Sequence, residues 1–97
     1  MATITFIAKM TCKPDKKAEF IRLCRELEDY VKANEPDTLL YRFFKLREAD
    51  RYAVLESFRS EDAEHRHMNS SILADIAPRI SACLDGTWVR EYFDPLG

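Results

Sequence analysis

The chain has 97 residues, of which 15 are Lys or Arg and 17 are Asp or Glu, so its formal net charge is −2. Domains cluster near ~100–150 residues, and this length therefore predicts one domain over residues 1–97. Hydrophobic residues make up 46% and charged residues 33% of the chain, which excludes a disordered protein and favours a soluble globular domain. The balanced charge offers no basic surface for nucleic acid or an anionic membrane.

The three cysteines, Cys12, Cys24 and Cys83, are odd in number and widely spaced. This pattern argues against a disulfide framework and favours reduced thiols that pack as small hydrophobic side chains. The sequence also lacks a signal-peptide pattern at Met1 and any apolar run near the ~18 residues that a membrane span requires. We therefore expect a cytoplasmic protein without a membrane partner.

The first predicted elements are a strand and a helix. Residues 3–11 alternate between apolar and polar side chains, a period of two that predicts a strand. Pro14 and Asp15 then begin a helix, because both residue types are favourable in a first helical turn. Apolar residues recur at helical spacing as far as Val31, and the Glu-Pro-Asp sequence at 35–37 ends the helix.

Two further strands, residues 38–46 and 52–59, are predicted to form an antiparallel hairpin through a short polar connection. The first of them carries apolar side chains on both faces: Leu40, Phe44 and Leu46 on one, and Leu39, Tyr41 and Phe43 on the other. A sheet with one face in water keeps that face polar, so both faces should be covered. The helices suffice for one face, and we expect a second copy of the chain to cover the other, forming a homodimer.

The last third of the chain predicts a broken helix and a final strand. Ser60 caps a helix, and Ser70 caps another that is kinked or restarted at Pro78 and extends to Leu84. Residues 87–93 form the last strand. The resulting order, β-α-β-β-α-β, predicts an α+β ferredoxin-like sandwich with a broken second helix.

Several functions that this fold hosts elsewhere do not fit the sequence. RNA-recognition domains need a glycine- and aromatic-rich third strand, whereas residues 52–58 read Tyr-Ala-Val-Leu-Glu-Ser-Phe. Only two glycines occur, which excludes a glycine-rich phosphate loop. His65 and His67 are two residues apart and point away from each other on a helix, so no metal site is predicted.

One segment links the end of the third strand to the following helix and carries a family resemblance. Glu56 and Phe58 form a Glu-x-aromatic strand end, an acidic helix start with Ala63 follows, and His67 comes four residues later. This pattern resembles the antibiotic biosynthesis monooxygenase superfamily. The opening strand, the first helix and the hairpin match as well, so the resemblance covers nearly the whole chain.

The resemblance implies a fold, an assembly and an activity. Members of the superfamily form dimeric α+β barrels in which two sheets meet face to face, and each subunit holds a pocket between its sheet and its helices. Several oxidise polycyclic or quinol-type aromatic compounds with O₂ and without metal or flavin, because the substrate anion supplies the electrons. Others degrade haem or isomerise a small sugar-like signal. The expected function is a cofactor-independent monooxygenase for a small aromatic substrate.

The same resemblance nominates the site residues. His67 is the expected catalytic residue, and Phe6, Phe58, Ile72 and Glu56 are expected to line the substrate pocket. The chain departs from the family at two of these positions: Phe58 stands where Trp is common, and Ile72 stands where many relatives carry a second histidine. A buried His67 is expected to stay neutral, since desolvation disfavours the charged imidazole.

Two alternatives remain open at this point. An isomerase of a small hydroxycarbonyl compound would use His67 to move a proton. A non-catalytic ligand-binding or stress-associated dimer would account for the departures at Phe58 and Ile72. The product separates the first alternative from an oxygenase, because an isomerase adds no oxygen atom.

Overall fold

The protein folds as a four-stranded sheet with three helices, and the computed structural model describes residues 3–96. The elements are β1 (Ile4–Thr11), α1 (Lys17–Asn34), β2 (Thr38–Lys45), β3 (Arg51–Phe58), α2 (Glu61–Met68), α3 (Ser71–Ser81) and β4 (Val89–Phe93). A short 3-10 turn, Pro14–Lys16, precedes α1. This order, with the second helical region in two parts, confirms the predicted ferredoxin-like α+β fold.

The sheet places residues from all four strands beside one another. Its strand order is β2-β3-β1-β4, and every neighbouring pair is antiparallel. Phe6 in β1 pairs with Glu56 in β3 and with Tyr92 in β4, while Tyr41 in β2 also pairs with Glu56. Side chains of paired residues project from the same face of a sheet, so these four lie on one face.

That face carries the core, and we call it the inner face. Its buried side chains pack against one apolar stripe of α1 and one of α3. The largest buried apolar side chains are Phe6, Phe20, Leu23, Leu27, Val31, Phe58 and Ile76. Burying one such side chain contributes about 1.5–3 kcal/mol, so this layer supplies most of the favourable free energy of folding.

The helix starts confirm the two predicted caps, and the ends of the last elements differ from the prediction. The Ser60 hydroxyl accepts a hydrogen bond from the Ala63 N–H, and Ser70 caps α3 in the same way. Pro78 lies inside α3, which ends at Ser81. Leu84, predicted to be helical, instead forms an isolated β-bridge with Cys12 beyond the helix. β4 begins at Val89, two residues later than predicted.

The three cysteines are free and buried, as the sequence predicts. Burial raises the pKa of the Cys24 thiol most strongly, and it also raises the pKa values of Cys12 and Cys83. A thiol with a raised pKa holds its proton and is a poor nucleophile. The cysteines therefore serve as packing residues.

The opposite face of the sheet, which we call the outer face, has none of the helices of residues 3–96 packed against it. Leu40 and Phe44 in β2 and Val89 and Phe93 in β4 project from it, with exposed fractions between 38% and 69%. These residues lie on the two edge strands, and several exposed apolar side chains on one sheet face are typical of an interaction surface. Within residues 3–96, no helix is long and apolar enough to cross a membrane.

Candidate active site

His67 is a residue of α2, and its side chain points toward the inner face of the sheet, on which α2 packs. The Ser60 cap sets the start of α2, and the spacing of four residues places Ala63 and His67 on the same buried side of the helix. The imidazole is 1% exposed and contacts two tilted aromatic rings, with its centroid 5.3 Å from that of Phe58 and 5.0 Å from that of Tyr41. These contacts fix the position of the ring.

Two carboxyl groups approach the imidazole from opposite sides. Its Nδ1 lies 2.9 and 3.1 Å from the two oxygens of Glu35, and its Nε2 lies 3.6 Å from Oε1 of Glu56. His67 is buried beside Phe58, as the sequence predicts, and Glu35 and Glu56 are the polar groups nearest to its two ring nitrogens.

Glu56 is an unusual residue for the centre of a strand. Its side chain is 6% exposed, and its Oε1 atom is buried without a hydrogen-bond partner. Desolvation by burial raises the pKa of this carboxyl to about 8; Arg90 opposes the rise, and Glu64 and Glu35 add to it. Glu56 can therefore exchange a proton near neutral pH, as general acids and bases do.

Glu56 and His67 line a cavity of about 100 Å³ between the inner face and the helices. This is the place where the family resemblance puts a pocket. The remaining wall is mostly apolar and comes from every layer of the structure, including Leu27, Phe43, Val54, Leu73 and Trp88. An apolar cavity with a few convergent polar groups is typical of a small-molecule site.

Arg90 is the cation of this cavity. It lies on β4, and its guanidinium stands 4.5 Å from the centroid of the Phe6 ring, a cation–π contact. The structure gives it the Phe6 ring as a contact, and its charge lowers the pKa of Glu56. The guanidinium can stabilise an anion in the cavity.

The structure distributes the nominated pocket residues over two layers. Glu56 and His67 lie on the cavity wall, whereas Phe58 supports the His67 ring and Phe6 supports the Arg90 guanidinium. Ile72 is partly buried and packs against the core, and the next residue on α3, Leu73, lines the cavity in its place. Adjacent helical positions differ by about 100° in direction, so only one of them faces the cavity.

His65 is exposed on the same helix, whereas His67 is buried. The different directions predicted for the two side chains are thus confirmed. Within residues 3–96, no group of three or more His, Cys, Asp and Glu side chains is arranged to hold a metal ion.

Sequence reasoning missed Glu35 and Tyr41 as neighbours of His67. Glu35 was interpreted only as the end of α1, where its backbone N–H donates to the Val31 carbonyl. A signal existed, because a negative charge at a helix C-terminus is unfavourable with the helix dipole. An acid in that place indicates a role outside its own helix.

The sequence profile of the antibiotic biosynthesis monooxygenase family matches residues 3–79. A protein from Caulobacter crescentus CB15, provisionally named an antibiotic biosynthesis monooxygenase, is 31% identical with a TM-score of 0.93; the match covers 99% of this chain and 92% of that one. A conserved protein from Methanosarcina mazei Go1 is 27% identical with a TM-score of 0.88, over 97% and 93% of the two chains.

Rv0793 from Mycobacterium tuberculosis shares the fold, with a TM-score of 0.90 at 17% identity over 99% of this chain and 97% of that one. No match is found among proteins with curated functions. The family profile covers well over half of this sequence, and the match to the Caulobacter protein covers nearly the whole length of both chains. The chain therefore belongs to the antibiotic biosynthesis monooxygenase family.

Proposed function

We propose that the protein is a cofactor-independent monooxygenase that oxidises a small aromatic, quinol-type compound with O₂. The substrate lies in the cavity between the sheet and the helices, with a ring hydroxyl beside Glu56 and His67. Family membership and the apolar wall support an aromatic substrate, and the buried proton acceptors support an ionisable hydroxyl.

The observation that carries this proposal is the placement of His67. Its ring is buried on the wall of an apolar cavity, with one carboxyl group hydrogen-bonded to Nδ1 and another facing Nε2. An imidazole held in this way can take a proton from a bound substrate and return it. This capacity is what oxidation of a substrate anion requires of the protein.

The chemistry starts with loss of the hydroxyl proton to the Glu56–His67 pair, while Arg90 stabilises the resulting phenolate. The phenolate gives one electron to O₂, and the substrate radical and superoxide combine as a peroxide on a ring carbon. The pair returns its proton to the peroxide, which loses water as the carbon becomes a carbonyl. For a dihydroxynaphthalene, C₁₀H₈O₂ and O₂ give C₁₀H₆O₃ and H₂O, so atoms and electrons balance.

The test is turnover of a panel of dihydroxynaphthalenes under air, under ¹⁸O₂ and under argon. We expect O₂ consumption, one ¹⁸O atom in the product, and no product under argon. Turnover that continues under argon contradicts the proposal. Saturable binding without any turnover replaces it with a ligand-binding function.

An isomerase is the second candidate, and the same proton-transfer groups favour it. Glu56 and His67 could move a proton between neighbouring carbons of a hydroxycarbonyl compound without O₂. A panel of such compounds under argon, monitored by product mass, separates the two functions. A product of unchanged mass supports the isomerase.

We also propose that the protein works as a homodimer in which the outer faces of two sheets meet. The exposed Leu40, Phe44, Val89 and Phe93 support this assembly, because they are apolar side chains on one sheet face, against which no helix of residues 3–96 packs. Sedimentation equilibrium at micromolar concentration should give twice the chain mass of 11.4 kDa. A mass of one chain contradicts the proposal.

The three free, buried cysteines support a reducing compartment, and we propose the cytoplasm as the location. Fractionation of the source cells with an antibody against the chain tests this.

A further inference from the structure

The position of Glu35 carries an inference about how His67 is prepared for its reaction. We propose that Glu35 is the positioning residue of His67: it holds the ring proton on Nδ1, turns Nε2 toward Glu56 and the cavity, and stabilises the imidazolium that stores the substrate proton. The catalytic part of this inference rests on the proposed function, whereas the positioning part does not.

The hydrogen-bond geometry sets the tautomer. Nδ1 of His67 lies within hydrogen-bond distance of both Glu35 oxygens, at 2.9 and 3.1 Å. As a carboxylate Glu35 only accepts hydrogen bonds, so the proposed arrangement has Nδ1 as the donor and the proton on that nitrogen. In a neutral ring this leaves the lone pair on Nε2, which faces Glu56 at 3.6 Å.

Glu35 is itself held in place, which a positioning residue requires. The Thr38 hydroxyl donates to its Oε1 atom at 2.8 Å, and its backbone N–H donates to the Val31 carbonyl at 2.9 Å. Its backbone carbonyl accepts from the Thr38 N–H at 3.1 Å. The carboxylate therefore approaches His67 from a fixed connection between α1 and β2.

The unpartnered oxygen of Glu56 is an independent sign that this arrangement serves a ligand. A buried oxygen without a hydrogen-bond partner is costly, so a folded protein rarely keeps one without a function. This oxygen lies on the Nε2 side of the ring, and its residue lines the cavity. The ring is thus held at Nδ1 by Glu35, while Nε2 faces Glu56 and can exchange a proton with a ligand in the cavity.

The charges around the pair explain why Glu35 is needed. The charged groups that act on Glu56 are Arg90 from β4, Glu64 from α2 and Glu35 from the end of α1, and the tilted Tyr41 ring from β2 lies 5.0 Å from the imidazole. When the pair takes the substrate proton, the hydrogen-bonded Glu35 carboxylate offsets the positive charge that forms on the buried ring. In triads of the Ser-His-Asp type, an acid orients and stabilises a histidine in the same way.

The test measures the His67 tautomer directly, in ¹⁵N-labelled protein by two-bond ¹H–¹⁵N correlation of the imidazoles. We expect the Nδ1–H form in the wild type and in Glu35→Gln, whose amide oxygen still accepts from Nδ1. Glu35→Ala should move the proton to Nε2, while the exposed His65 keeps its spectrum in every variant. An Nε2–H form in the wild type overturns the proposal, even if no variant folds.

Kinetics separate charge from orientation. Glu35→Gln keeps the hydrogen bond and removes the charge, so kcat should fall about 10-fold with little change in KM, and Glu35→Asp should recover part of the loss. Glu61→Gln, an exposed acid on α2, is the matched control and should retain wild-type kcat. Wild-type kcat in Glu35→Gln overturns the role of the charge.

The two proposals fail in different ways. A wild-type protein without turnover refutes the monooxygenase, while the tautomer measurement still decides whether Glu35 positions His67. Normal turnover with an unchanged tautomer in Glu35→Ala refutes the positioning role and leaves the monooxygenase standing.

Discussion

The two faces of the sheet differ in what they bury and in what they leave exposed. The inner face buries ionisable groups, Glu56 and His67, in a closed apolar setting, whereas the outer face exposes apolar groups such as Leu40 and Phe44. Burying an ionisable group costs free energy, so proteins keep such groups where a partner stabilises them or where a function needs them. Exposure of grouped apolar side chains persists where a partner covers them.

Neighbouring residues of β2 show how one strand serves both purposes. Phe43 projects to the inner face and lines the cavity, and Phe44 projects to the outer face with 40% of its surface exposed. The alternation of side chains along a strand makes this possible within two positions. The inner face is thus covered within one chain, whereas the outer face keeps exposed apolar side chains, which the proposed dimer would cover.

The largest expected effect belongs to the outer face. Phe44→Glu places a charge in the proposed interface, where it is desolvated without a partner, and should raise the dimer Kd about 1000-fold or more. Sedimentation equilibrium over a range of concentrations measures this. Tyr30→Glu is the matched control, because Tyr30 has similar exposure but lies on α1. A variant that associates as strongly as the wild type contradicts the assigned interface.

The next largest effect belongs to the inner face. His67→Ala removes the proposed proton acceptor and should lower kcat/KM about 100-fold or more. His65→Ala should retain wild-type kcat/KM, since His65 is exposed on another side of the same helix. Steady-state kinetics with an identified substrate, at matched circular dichroism, measures both. Equal losses in the two variants would show that His67 has no special part in the reaction.

Much of the fold could be predicted from the sequence because its signals are local. Period-two alternation in β1, the apolar stripe of α1 and the serine caps of α2 and α3 each depend on a few adjacent residues. The apolar residues on both faces of β2 predicted a sheet that is packed on both sides; the helices cover the inner face, and cover for the outer face stays a prediction. Such patterns define elements and their order.

The site was only partly predictable, because its members come from distant parts of the chain. Glu35 and His67 are 32 positions apart and meet only when α2 packs on the sheet. Which of Ile72 and Leu73 reaches the cavity depends on the rotation of α3, which the sequence does not specify within one residue. The raised pKa of Glu56 follows from burial in three dimensions, which no motif shows.

A smaller effect concerns the stability cost of the buried carboxyl. The folded-state pKa of Glu56 is raised from an ordinary value of 4.5 to about 8, so the unfolded chain releases this proton at lower pH than the folded one. Wild-type stability should therefore fall as pH rises from 4.5 to 8. Glu56→Gln cannot lose a proton there, and its stability relative to the wild type should increase by about 1–3 kcal/mol across this range.

Urea unfolding at pH 5, 6.5 and 8 measures this difference at one fixed protein concentration. Glu26→Gln, an exposed acid on α1, is the control and should show a constant difference from the wild type. A constant difference for Glu56→Gln as well would mean that burial does not hold this proton.

The smallest effect distinguishes the two faces of β4, where Tyr92 points inward and Phe93 outward. The Tyr92 hydroxyl donates to Oε2 of the buried Glu64 at 2.6 Å, which ties the edge strand to α2, and its ring lies 5.0 Å from that of Phe6. Tyr92→Phe keeps the ring contact and removes the hydroxyl donor. Because Tyr92 is half exposed, water can replace part of the lost hydrogen bond to Glu64. The free energy of unfolding should fall by about 1 kcal/mol.

The dimer Kd of Tyr92→Phe should equal that of the wild type, since the lost hydrogen bond lies within one chain. Phe93→Ala, in contrast, should weaken dimerisation: the Kd should rise about 10-fold because the substitution removes apolar area from the proposed interface. Urea midpoints and sedimentation on the same samples separate the two effects. If Tyr92→Phe weakened dimerisation as much as Phe93→Ala, the two faces of β4 would not act separately. The assignment of the inner face to the site and of the outer face to dimerisation would then be wrong at this edge of the sheet.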